Sequence, residues 1–216
     1  MKSTLQLLFA LALLISLTAC GGAKNEEAKT GEAEDVQEAE GASAFDVNTE
    51  NTRIGWHAYK ITGDEHYGSF PVKNGEIKIE ADEIIGGTFT FDVANLKVED
   101  LEEGSEEHGK LVGHLKAPDF FDAEKYPDGK FTVTKVVAKA GENGTTHEVT
   151  GNLKLRDKEN SITFPAVVEM SEDKIAVEAK TAIDRQKWDV NFNTPDAAIK
   201  DMVDIEIELE AGPAAS

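Results

Sequence analysis

Residues 110–131 read KLVGHLKAPDFFDAEKYPDGKF, and this stretch decides the fold because it breaks the pattern of the chain around it. Leu111, Val112 and Leu115 recur at near-helical spacing, which predicts a short helix. Pro118 ends it, because proline drives the residue before it out of the helical region. Phe120 and Phe121 then come as a pair, followed by Tyr126 and Phe131. A helix and an aromatic cluster set midway in a strand-rich chain have to lie across something. The expectation is a lid or side wall for a β-barrel.

The flanking sequence supplies the strands. Thr52 to Ile61 alternates, with Ile54, Trp56 and Ala58 on one face. His66 to Val72 gives a second strand. Asn74-Gly75 reads as a hairpin turn into Glu76 to Ala81. Gly86-Gly87 reads as a break before Thr88 to Val93, whose Phe89, Phe91 and Val93 share a face. The acid-rich Val98 to Gly109 reads as a solvated loop leading into the helix, and Asp128-Gly129 as a turn. Phe131 to Ala140, Glu148 to Leu155, Ser161 to Ser171 and Lys174 to Ile183 follow as strands, with Asn143-Gly144 turning the chain between the first two. Val203 to Leu209 closes the pattern, with Val203, Ile205, Ile207 and Leu209 inward and acids between them. About eight or nine short strands, each with one apolar face, predict an all-β antiparallel sandwich or barrel carrying one short helix. A barrel of about eight strands has room for one small ligand. The same alternation is equally served by a solid core.

The first nineteen residues read as a leader. Met1-Lys2 is followed by an apolar run from Leu5 to Leu17, too short to span a bilayer and suited to a signal peptide. Leu17-Thr18-Ala19-Cys20 is similar to a bacterial lipobox, in which the cysteine is acylated and becomes the mature N-terminus. Cys20 is the chain's only cysteine, so an intrachain disulfide is excluded. Two or more acyl chains anchor a protein stably. Residues 20–44 then read as an acylated cysteine and a disordered acidic tether: 21–44 hold seven acids against two lysines, a net of −5. As a coil these 24 residues reach about 27 Å. The acidic stretch also resembles surface-export signals of some Gram-negative phyla. The expected location is the bacterial cell envelope, anchored to the outer membrane on its periplasmic side or at the cell surface.

Residues 45–216 make one domain. Of the formal charge of −20, Lys2 carries +1 and the tether −5, which leaves −16 on the domain. That argues against a cationic nucleic-acid surface and equally against a domain face lying on anionic lipid.

At residues 110–131 the chain resembles the YceI-like family of polyisoprenoid-binding, lipocalin-like barrels. Leu111, His114-Leu115, Asp119-Phe120-Phe121-Asp122, Lys125-Tyr126-Pro127 and Phe131 carry the central motif. WHAYKITGDEHYG (residues 56–68), Gly86-Gly87-Thr88-Phe89, Val149 to Leu153, Ile162 to Ala166, Ile183 to Trp188 and Asp204 to Ile207 carry flanking ones. The resemblance runs from about Asp46 to Leu209. The chain departs from it at Asn191 to Pro195 and at Arg156 to Asn160. It implies a lipocalin-like barrel with the helical segment at its side or mouth. It also implies a long apolar cavity for an isoprenoid tail, with quinones, polyprenyl phosphates and fatty amides as ligand classes, and no cofactor beyond that lipid.

Candidate lining residues are Trp56, Phe89, Phe91, Leu115, Phe120, Phe121, Phe131, Phe164 and Trp188. Each also fits an ordinary core. Arg185, Lys60 and His66 are the head-group candidates, since guanidinium in particular suits bidentate acceptors. For Arg185 the alternative is an ion pair that fixes the barrel rim, and for His114 a backbone bond where the helix meets the barrel. There is no G-x-S-x-G, H-E-x-x-H or phosphate loop, and His108 and His114 do not share a helix face. A non-enzymatic lipid carrier without a metal is therefore expected. The partners are the lipid and, through the acyl anchor, a membrane. A homodimer stays open. The rivals are a ligand-free structural or interaction β-domain of the envelope and an enzyme acting on a lipid head group.

Overall fold

A computed structural model describes residues 24–36, 41–191 and 199–214. Cys20, the leader, part of the tether and most of the Asn191–Pro195 departure lie outside the described residues.

Among the described residues, twelve strands and one α-helix follow the chain: β1 (Lys29–Glu32), β2 (Ser43–Val47), β3 (Arg53–Lys60), β4 (Glu65–Phe70), β5 (Val72–Glu80), β6 (Glu83–Asp92), β7 (Lys97–Val98), α1 (Glu106–Lys116), β8 (Asp128–Ala138), β9 (His147–Leu155), β10 (Lys158–Met170), β11 (Ile175–Asp184) and β12 (Ile199–Pro213). All strand pairs between them are antiparallel. β2 and β3 lie end to end along one edge of β12, and β4 and β5 run on through Pro71 beside them. Counted as two bent strands, they join β6, β8, β9, β10, β11 and β12 in a ring that closes on β11–β12. The result is a closed eight-stranded antiparallel barrel, as the alternation and the resemblance led one to expect.

The helix forms where its apolar spacing predicts. Ser105 caps it by accepting from His108 N at 3.2 Å, and Glu106 and Glu107 occupy the first turn. Ala117, before Pro118, is already extended (φ −65, ψ 159). No residue of α1 is fully buried; Leu111, Val112 and Leu115 rest on the core. The helix belongs to the long β6–β8 connection. That connection lies at the end of the barrel that also carries the β3–β4, β9–β10 and β11–β12 connections.

Three turn readings are corrected. Asn74 and Gly75 lie inside β5; the hairpin turns instead at Ala81-Asp82, both at positive φ (49 and 64). Gly75 is needed for close packing, since a Cβ there would sit 2.8 Å from both Phe89 and Val47 side chains. Gly86-Gly87 continues β6 without a break. Asp128-Gly129 opens β8, where Gly129 lies under Phe91 with 2.2 Å between a built Cβ and the ring. In each case a glycine read as punctuation makes room for an aromatic or lies within a paired strand.

The tether is the fourth correction. Residues 24–36 follow the barrel wall, and β1 pairs with β10 from Lys29↔Thr163 to Glu32↔Asn160. Ala28 is only 2% exposed and belongs to the main core. Composition predicted coil because the segment has few apolar side chains. What orders it is backbone hydrogen bonding to strand edges that the barrel leaves unpaired.

Candidate functional site

The inward faces of the strands do not meet. Between them lies a cavity of about 200 Å3 that borders residues from both ends of the barrel. Ile77, Ile84 and Gly86 lie at the end near the β5–β6 turn, and Leu115, Phe120, Phe121 and Val190 at the end under α1. The inward-facing aliphatics Ile54, Val203, Ile205, Ile207 and Leu209 form one wall, as their alternation predicted. An apolar void of this kind stays dry rather than filling with water.

Aromatic rings run along the opposite wall. Phe89 stacks with Phe131 at 6.4 Å, and Phe131 meets Phe164 at 5.9 Å. Phe91 meets Phe70 at 5.5 Å, Phe70 meets Phe121 edge-on at 5.6 Å, and Phe121 meets Phe120 at 5.1 Å. Trp56, Phe89, Phe91, Leu115, Phe120, Phe121, Phe131 and Phe164 all border the cavity. Phe120 is buried, whereas Phe121 is half-buried. Trp188 is not part of this wall: it is fully enclosed, and its Nε1 donates to Leu153 O at 2.8 Å. It packs the barrel end as core.

The three polar candidates behave differently. Arg185 borders the cavity, but its guanidinium donates to the carbonyls of Val190 (2.6 Å), Ile199 (3.1 Å) and Lys200 (3.2 Å) and to Asp201 (3.4 Å). Burial lowers its pKa, and Asp201 and Asp184 oppose that shift. It ties the β11–β12 connection together, the rim-fixing alternative. His66 Nδ1 lies 2.7 Å from Asp100 Oδ2, while Asp100 Oδ1 accepts from Tyr67 N. Lys60 pairs loosely with Asp64 at 3.9 Å. Neither His66 nor Lys60 borders the cavity. His114 lies 6.4 Å from the Phe120 ring.

Sequence reasoning missed Arg156. Held at φ 55 in the two-residue β9–β10 turn, it donates to Phe120 O and Asp189 O, both at 2.7 Å, and to Pro118 O at 3.4 Å. It pins the paired phenylalanines over the barrel end. Nothing local in the sequence signals this, because its partners are main-chain carbonyls some 30 residues away.

Outside the wall, Asp204 is buried beneath the tether. It accepts from Lys24 N (2.9 Å), Asn25 N (3.0 Å) and Tyr59 Oη (2.7 Å). Burial, then the hydrogen bond and charge of Asp204, push the Tyr59 phenol well above its ordinary value, so it remains a donor.

Residues 45–211 match the family model described as the YceI-like domain. A UPF0312 protein of Photorhabdus laumondii is 37% identical over 91 residues, 38% of this chain and 42% of that protein. One from Vibrio parahaemolyticus is 30% identical over 132 residues, 57% of this chain and 68% of the relative. The chain thus spans less than half the length of the Photorhabdus relative. Among solved structures, Burkholderia cenocepacia BcnA superposes with a TM-score of 0.61 at 20% identity, over 76% of this chain and 98% of that one. A polyisoprenoid binding domain from Saccharophagus degradans, implicated in plant cell wall breakdown, superposes at 0.59 and 14% identity, over 80% and 99%. At these identities the two structures establish the shared fold.

Proposed function

The chain belongs to the YceI-like domain family, and on that premise we propose that it is a carrier that holds an isoprenoid lipid inside its barrel without turning it over. The observation that carries this reading is the apolar cavity bordering both barrel ends, lined on one side by a row of phenylalanines. The Saccharophagus domain of the same fold, described as polyisoprenoid-binding, supports the ligand class. Each methylene taken from water gains about 0.8 kcal/mol, offset in part by ordering the chain. An isoprenoid tail therefore needs few polar contacts. Among the described residues that line the cavity, Arg185 is the one cation, and it is engaged by carbonyls and Asp201. That favours a neutral head group, such as a quinone, over a polyprenyl phosphate.

The leader and Cys20 support an acylated envelope protein, anchored to the outer membrane. The test is mass spectrometry of lipid extracted from purified protein, paired with decylubiquinone uptake read by tryptophan quenching. About one isoprenoid per chain is the expected result. Neither co-purified lipid nor quinone uptake would leave only a structural β-domain.

A further inference from the structure

Among the described residues, the barrel wall has a seam between β10 and β11. β10 and β11 pair from Ala166↔Ala179 to Met170↔Ile175 and then part. Pro165 stands at the fork. Ala166 O accepts from Thr146 N on the β9 side, so by strand alternation the main-chain groups of residue 165 face β11. Proline has no N–H to offer there, and the ladder stops. Beyond the fork, β10 is paired through Thr163 to Asn160 with β1 instead. The freed edge of β11 is taken by the residues just before β1: Ala28 N donates to Ala182 O at 2.8 Å, and Ala182 N to Glu26 O at 2.9 Å. Thr181 Oγ1 also donates to Glu26 O. Residues 26–32 therefore cross obliquely between two barrel strands and close the wall. Phe164, on one side of the seam, and Ile183, on the other, both border the cavity.

We propose that Lys24–Glu32 is a removable wall strand, and that its withdrawal opens a lateral portal between β10 and β11 through which the lipid passes between bilayer and cavity. This rests on the carrier reading above. The segment is lightly held by side chains. It contributes one small buried apolar side chain, Ala28. Its ion pairs, Lys24–Glu65, Lys29–Glu148 and Glu27–Lys187, are all longer than 3.5 Å and largely exposed, where such pairs hold little. By contrast, β9 and β10 are joined by an unbroken ladder from Leu155↔Lys158 to His147↔Ala166. Elements with few buried apolar contacts open first; withdrawal of this one also has to break the bonds of Lys24 N and Asn25 N to Asp204 and of Thr181 Oγ1 to Glu26 O. Cys20 precedes Lys24 by four residues, a span of at most about 14 Å fully extended. Lys24 itself lies over β12 and β4, where its N donates to Asp204 and its Nζ faces Glu65, so an acyl anchor at Cys20 puts next to the membrane the side of the barrel that adjoins β11 and the seam.

The experiment locks and unlocks the seam in the full-length protein. Gly31 and Ser161 face each other across the β1–β10 pair, and a Cβ built on Gly31 lies 3.0 Å from Ser161 Oγ. Gly31→Cys with Ser161→Cys is thus placed to form a disulfide. Decylubiquinone loading and release are followed by stopped-flow tryptophan quenching in the oxidised and reduced states. Oxidation is expected to slow both rates by about tenfold or more while leaving the dissociation constant unchanged, as for a gate outside the site. The complementary variant Ala28→Glu, which drives a charge into the buried wedge position, is expected to speed both rates severalfold. Equal rates in oxidised and reduced protein, or unchanged rates in Ala28→Glu, overturn the portal and leave the carrier intact. No uptake in any form overturns the carrier and the portal together.

Discussion

Filling the cavity from its wall tests the hollow barrel most directly, and Ala58 is the place to do it. It lies within β3 on the inward face that also carries Ile54 and Trp56, pairs with inward-facing Val203 and borders the cavity. Ala58→Leu extends the side chain into that space by three carbons. Their burial stabilises the empty protein by up to about 2.4 kcal/mol, at about 0.8 kcal/mol each. Incomplete contact with the far wall reduces this. A net gain of about 1.5 kcal/mol raises Tm by roughly 3–6 °C for a domain of this size. The ligand loses the same space. Displacing about three carbons at about 0.8 kcal/mol each costs it about 2.4 kcal/mol, roughly fiftyfold in Kd. Thermal unfolding of the empty protein and decylubiquinone titration measure the two effects on one sample. Opposite signs, higher Tm and weaker binding, are expected. A variant no more stable than the parent that binds the quinone with unchanged affinity would refute both the void and its role.

Other perturbations separate scaffold from site. Arg185→Met orphans the carbonyls of Val190, Ile199 and Lys200 and should cost about 3–5 kcal/mol by urea unfolding, with quinone affinity kept in the folded fraction; lost affinity at unchanged stability would make Arg185 a ligand contact. Phe120→Ala should cost about 3–5 kcal/mol of stability, whereas Phe121→Ala, half-buried at the cavity, should lose less stability and more affinity in the same two assays. Glu99 is raised by its burial but held below the ordinary glutamate value of 4.5 by hydrogen bonds from Ser69 and Arg53 and by the charges of Arg53 and Lys97. Its contribution is therefore fully present above the unfolded value and lost as pH falls through the folded one. Glu99→Gln should destabilise the protein near neutrality, with the gap to the parent closing as pH drops below 4.5, as read from urea midpoints at several pH values.

Much of the barrel is visible in the chain because period-two alternation reports which face is buried. β3, β9, β10, β11 and β12 all sit within a few residues of where alternation puts them, and Val203, Ile205, Ile207 and Leu209 do point inward. Turn chemistry misled where glycine had a second use. Gly75 and Gly129 lie under Phe89 and Phe91, and a one-dimensional reading cannot see an aromatic that arrives from another strand. The true hairpin at Ala81-Asp82 carries no Asn-Gly signal, so nothing local marked it.

The candidate site divides the same way. Large apolar residues on inward faces were readable, and the paired phenylalanines stood out because adjacent residues cannot share one strand face. Trp188, an equally good candidate by type, proved to be core because its indole N–H has a carbonyl to meet, Leu153 O. Arg185 had two readings that composition could not separate; three carbonyls and Asp201 engage its guanidinium, the arrangement of the rim reading, while it still borders the cavity. The seam was illegible for a deeper reason. A tether with few apolar side chains folds here because Pro165 leaves an edge unpaired at a distance of more than 130 residues in sequence. The partner of residues 26–32 is main chain, which every sequence has, so no side-chain pattern could announce it. The proline inside an otherwise regular strand was the one visible mark that the ladder had to end there.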